Sequence, residues 1–199
     1  MRSTDGYGEN AKRLAAQYES ITFEDTHRCV LHLFPAATSR VLDIGAGSGR
    51  DAAALAALGH TVIAVEPTAE LRDAGRRLHT ASAIAWVDDM LPDLDVVRGR
   101  NERYDVILLT AVWMHLDADE RRVAMARIVD LLTPRGIVIM SLRHGPVPAG
   151  RRMFEVSATE TIALAASAGL RCIHESARED MFGRANVSWT ILALQGDSR

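Results

Sequence analysis

Short, mostly apolar runs recur along the chain at 41–44, 61–65, 84–87, 106–109 and 137–141. They alternate little with polar residues, the pattern of parallel strands covered on both faces. Between them lie 50–58, 69–79 and 119–132, where apolar positions take helical spacing. Strand and helix in turn predict a parallel sheet with right-handed crossovers, a doubly wound α/β domain. The alternation stops near the end. Residues 170–175 and 187–194 read as strands joined by a turn-like loop, 177–185, too short for a helical crossover. The expected sheet therefore has seven strands, mostly parallel, with an antiparallel C-terminal strand. Upstream, residues 10–34 look helical and 35–39 form a connector. We expect residues 1–37 to be a helical segment and 38–199 to hold the main domain. Tyr7 and Tyr18 in the first segment suit a lid over a ligand, or plain packing.

Composition narrows the partners. The 199 residues are 48% hydrophobic, enough for one compact core. The net charge is −3 and the arginines are scattered, which gives no electrostatic basis for binding nucleic acid or an anionic membrane. Even 98–103, rich in arginine, reads as a solvated loop before a strand. The first ten residues lack the apolar core of a signal peptide, and no window is long and apolar enough to span a bilayer. A cytoplasmic protein is expected. Cys29 and Cys172 stand far apart and form no CxxC motif, so we expect reduced thiols and no metal.

The chemistry concentrates in Val41-Leu-Asp-Ile-Gly-Ala-Gly-Ser-Gly-Arg50. Gly45, Gly47 and Gly49 follow the first strand and lead into a helix. Without Cβ atoms they let a ligand lie against the backbone, at the end of a parallel sheet where ligands bind. The second strand ends in Glu66, an acid placed to accept hydrogen bonds from two ribose hydroxyls. A nucleoside cofactor follows. The dinucleotide fingerprint G-x-G-x-x-G would need glycine at position 50, where Arg50 stands. That spacing disfavours a nicotinamide-dependent oxidoreductase, the first alternative class.

Five segments, VLDIGAGSGR (41–50), VIAVEP (62–67), WVDDMLP (86–92), YDVILLTAVWMHL (104–116) and LLTPRGIVIMS (131–141), resemble in order the motifs of class I S-adenosylmethionine-dependent methyltransferases. With the terminal hairpin, the resemblance covers roughly residues 38–195. It implies that Gly45, Ala46, Gly47 and Gly49 seat the methionine part, with Asp43 supporting that loop or the cofactor's ammonium group. It makes Glu66, followed by Pro67, the ribose acid. Asp88, with Asp89 as rival, would meet the adenine amino group, and the Met90 backbone the ring. Thr110 and Ala111 close the site from the fourth strand. A catalytically silent cofactor-binding protein is the second alternative class.

The acceptor is less constrained. Thr110-Ala111-Val112-Trp113 replaces the Pro-Pro-aromatic turn of methyltransferases acting on exocyclic amino groups of DNA bases, and the AVWMHL wording resembles the small-molecule branch. A small-molecule acceptor is expected, methylated on O, N or S. His115 is the candidate general base, against the plainer role of a histidine bonded to backbone at a helix start. Trp113 suits a wall of the acceptor pocket, or packing. Arg143, His144, Arg151 and Arg152, in a loop after the fifth strand, would clamp a carboxylate or phosphate, or face solvent.

Overall fold

The computed structural model describes residues 6–197, so residues 1–5 and 198–199 of the two expected spans lie outside it. Its centre is a seven-stranded sheet. Strands β1 (Arg40–Ile44), β2 (Thr61–Val65) and β3 (Ile84–Val87) pair in parallel outward to one edge. Strand β4 (Tyr104–Leu109) pairs in parallel with the other side of β1, and β5 (Leu132–His144) with β4. Strands β6 (Leu170–Glu179) and β7 (Ser188–Gly196) complete the order β3-β2-β1-β4-β5-β7-β6. Strand β7 runs antiparallel to both its neighbours. The expected class and hairpin are as observed.

The apolar runs explain the layering. Val106, Ile107, Leu108 and Leu109 are all buried, as are Val41, Leu42 and Ile44, because helices cover both faces of the central strands. Helix α1 (Ala11–Glu19) precedes α2 (Phe23–His27), and α3 (Arg50–Ala57) packs on β1, β2 and β3. Helix α4 (Ala69–Leu78) carries α1, through a small apolar cluster of Ala11, Leu14, Ala15 and Leu71 separate from the main core. Helices α5 (Asp95–Gly99), α6 (Ala118–Leu131) and α7 (Ala158–Ser167) follow. Helix α6 opens on a capping box: Asp117 accepts from the Glu120 N–H while Glu120 accepts from the Asp117 N–H.

Three expectations need correction. The helical stretch 10–34 is broken into α1, α2 and a 3-10 turn at Leu31–Leu33, because Thr22 stops one helix and caps the next through the Asp25 N–H. Helices α5 and α7 are additional, α5 reaching into the arginine-rich stretch expected to be loop. Strand β5 extends to His144, so Arg143 and His144 are strand residues, not loop.

The chain leaves β1 towards β2 and β3, then returns to β4 on the far side. The crevice between the carboxyl ends of β1 and β4 is the switch point where open α/β sheets bind ligands.

Candidate active site

A cleft of about 750 Å³ opens at that switch point, within the range of small-molecule sites. The glycine loop forms its floor. Gly47 adopts φ +59°, and a Cβ there would stand 3.2 Å from ring carbons of Tyr18, so the bare backbone keeps the loop against the cleft.

Glu66, buried at the end of β2, fastens this loop. One carboxylate oxygen accepts from the Gly47 N–H at 2.9 Å and the other from the Thr68 N–H at 2.8 Å. Each oxygen keeps a lone pair for a further donor. Burial raises the Glu66 pKa above the usual range, while the Thr68 and Gly47 bonds pull it back. Pro67 lines the cleft beside it.

Under the loop lies a buried charged network. Asp51, at the start of α3, accepts from Arg50 Nε at 2.7 Å and Thr110 Oγ1 at 3.0 Å, and pairs with His27 Nε2 at 2.9 Å. Burial alone would raise its pKa, but His27 and Arg50 outweigh that and hold it well below the usual carboxylate range. Neighbouring Asp43 goes the other way: burial, then Asp51, raises its pKa well above that range. Among the described residues, Asp43 Oδ2 has no hydrogen-bond partner although it lines the cleft. An orphaned acceptor there suits a donor on a ligand.

The far side of the cleft is built around His115, in a 3-10 turn after β4. Its Nδ1 faces the Arg152 carbonyl at 2.8 Å, so that nitrogen carries the proton. Nε2 is then the acceptor for the Tyr7 hydroxyl at 3.0 Å. Burial lowers the His115 pKa, and the Arg152 carbonyl opposes this only in part, which keeps the ring neutral at physiological pH. Arg152 also donates to the His115 carbonyl and pairs with Glu120 and Asp117. It fixes the turn instead of facing a ligand.

The cleft gathers Asp43, Gly45, Ala46, Gly47, Glu66, Pro67, Asp89, Met90, Thr110, Ala111, His115 and Arg143 from the expected set. Four others lie elsewhere. Asp88 is exposed and pairs with Arg72 at 2.8 Å, whereas Asp89 turns inward to accept from the Val97 N–H, so the rival is the better placed. Gly49 caps α3 and backs onto Trp86. Trp113 is 0% exposed within the core and walls no pocket. His144 Nε2 bonds Thr190 Oγ1 across the sheet, away from the cleft.

Residues outside the expected set also line the cleft: Arg178, Asp180, Met181, Phe182, Arg184 and Trp189. They come from the β6–β7 hairpin, where the sequence points to a loop at 177–185 and a last strand at 187–194 but to no site residue. Its topology held the signal. A strand parallel to β1 followed by an antiparallel return must turn at the carboxyl end of the sheet, beside the glycine loop.

Residues 41–136 match the family described as a methyltransferase domain. The chain carries a methyltransferase domain. The sheet order around this domain is that of the class I fold. An uncharacterized methyltransferase of Oceanobacillus iheyensis is 23% identical over 185 residues, covering 88% of this chain and 76% of that protein. The 1,6-didemethyltoxoflavin-N1-methyltransferase of Burkholderia thailandensis, solved with 1,6-didemethyltoxoflavin and S-adenosylhomocysteine, superposes with a TM-score of 0.68 at 23% identity, over 95% of this chain and 89% of its own. The magnesium protoporphyrin IX methyltransferase of Synechocystis, solved with S-adenosylmethionine, gives a TM-score of 0.70 at 14% identity, over 96% and 85%. These likenesses show a fold shared over nearly the whole chain.

Proposed function

We propose that this methyltransferase uses S-adenosylmethionine to methylate an O, N or S atom of a small-molecule acceptor, with His115 and Tyr7 handling the acceptor's proton. The observation that carries this reading is that a single cleft runs from the Glu66 carboxylate to the Tyr7–His115 pair. The cofactor brings an activated methyl on a sulfonium, and its demethylated product is S-adenosylhomocysteine. Glu66 keeps two free lone pairs that would take ribose hydroxyls, Asp89 and Met90 would line the adenine end, and the orphaned Asp43 oxygen would meet the amino-acid end. The residues fit the group.

The protein contributes alignment, exclusion of water and a route for one proton. Tyr7 and His115 both line the cleft, and the Tyr7 hydroxyl holds His115 Nε2. A proton leaving the acceptor reaches the Tyr7 oxygen as the hydroxyl's own proton moves to Nε2, so no phenolate accumulates. This suits Tyr7, whose pKa burial raises. The segment carrying Tyr7 and Tyr18 acts as the lid: it borders the cleft and rests on α4 through its own small cluster. We assign the protein to the cytoplasm, where its free Cys29 and Cys172 stay reduced. Among the described residues, no helix is long and apolar enough to cross a membrane.

Incubation of the protein with methyl-labelled S-adenosylmethionine and a metabolite extract should place label in a small molecule. Binding of NAD(P) alone would overturn the reading. With that acceptor in hand, His115→Ala should lower kcat by about a hundredfold and leave S-adenosylhomocysteine affinity intact in calorimetry. Unchanged kcat would remove His115 from the proton route.

A further inference from the structure

The acceptor half of the cleft carries positive charge without its counterpart. Arg143, at the end of β5, is 8% exposed and lines the cleft beside Tyr7 and His115. Among the described residues it pairs with no carboxylate; it donates to the Gly145 carbonyl at 3.2 Å and leaves its buried Nε without a partner. Arg151 repeats the pattern. Its guanidinium lies 3.5 Å over the Tyr7 ring, one terminal nitrogen has no partner among the described residues, and no carboxylate there pairs with it. The nearby acid is already committed: Asp180 accepts from Arg184, from Trp189 Nε1 and from the backbone of its own loop. Burial, then Arg184, pulls the Arg143 pKa below its usual value, and Asp180 opposes this only in part. Buried charges are normally paired.

We infer that the acceptor carries an anionic group, a carboxylate or a phosphate, held by Arg143 and Arg151 beside the Tyr7–His115 pair. This rests on the reading of the cleft as a methyl-transfer site. The fork of each guanidinium matches such oxygens in a charge-assisted, bidentate way. Trp189, paired with Arg143 across β5 and β7, joins Met181 and Phe182 in offering an apolar wall next to that anchor. On this inference the acceptor anion would be held by Arg143 and Arg151, and the cofactor's amino-acid end by the cleft residues Asp43, Arg50 and the glycine loop.

The test titrates the S-adenosylhomocysteine-saturated protein with benzoate, phenyl phosphate and the neutral benzamide by calorimetry. At least one anion should bind about tenfold or more tightly than benzamide, and the better of the two tells carboxylate from phosphate. Arg143→Met should weaken the anion by about tenfold or more while benzamide and S-adenosylhomocysteine bind as before. Arg151→Met serves the same comparison if the first variant does not fold. The inference is overturned by equal affinity for anions and benzamide, by no anion binding, or by anion affinity unchanged in the variants. Loss of S-adenosylhomocysteine binding in a folded Arg143→Met would give that arginine to the cofactor's own carboxylate and overturn it too. Wild-type protein that fails to bind S-adenosylhomocysteine would instead bring down the underlying reading of the site.

Discussion

Glu66→Ala should weaken S-adenosylhomocysteine binding by about 10²- to 10⁴-fold, measured by calorimetry on the folded variant. Two hydrogen bonds from ribose hydroxyls to a carboxylate contribute about 1.5–3 kcal/mol each, or about 3–6 kcal/mol together. The loss does not end there. Glu66 also accepts from the Gly47 and Thr68 N–H groups, so its removal frees the glycine loop that we propose seats the rest of the ligand. Glu66→Gln keeps one acceptor oxygen and should fall between the two. An affinity for Glu66→Ala within about threefold of wild type would show that the acid at the end of β2 does not hold the ligand.

The second large effect concerns stability. Asp51→Asn removes the charge that answers His27 and Arg50 beneath the cleft, and should cost about 3–5 kcal/mol in denaturant unfolding near neutral pH. Its pH dependence has a definite sign. The folded-state pKa of Asp51 is depressed, so its contribution is present above the unfolded carboxylate value of about 4 and is lost as pH falls through the folded value. The stability gap between wild type and Asp51→Asn should therefore narrow as acid is added below about pH 4. A gap that stays constant down to pH 2 would mean that Asp51 gains nothing from its partners.

Much of this architecture is legible in the residues because parallel strands buried on both faces must be apolar throughout. The runs at β1, β2 and β4 could serve nothing else, and Glu66 stands out because it ends such a run. The glycine loop is legible for the same reason: its composition makes sense only against a ligand. What escaped depends on direction instead of composition. Asp88 and Asp89 are chemically equal, and only the turn after β3 decides which enters the cleft. Arg143 and His144 are strand neighbours whose side chains leave on opposite faces, so one lines the site and the other bonds Thr190. Trp113 has the look of a binding residue, yet the 3-10 turn carries its ring into the core. The charged groups and apolar walls supplied by the β6–β7 hairpin carry no local motif at all. They follow from topology, which becomes visible only once the strand order is known.

The support beneath α1 has a thermal consequence. Tyr7 stands just ahead of this helix, whose own contacts form a patch of four buried side chains, while His115 is anchored to the sheet's main core. Such patches open at lower free energy than the sheet beneath them. On warming, the Tyr7–His115 hydrogen bond should come apart before the fold does, so the proposed proton route would fail first, limited by the smaller hydrophobic cluster and not by the larger.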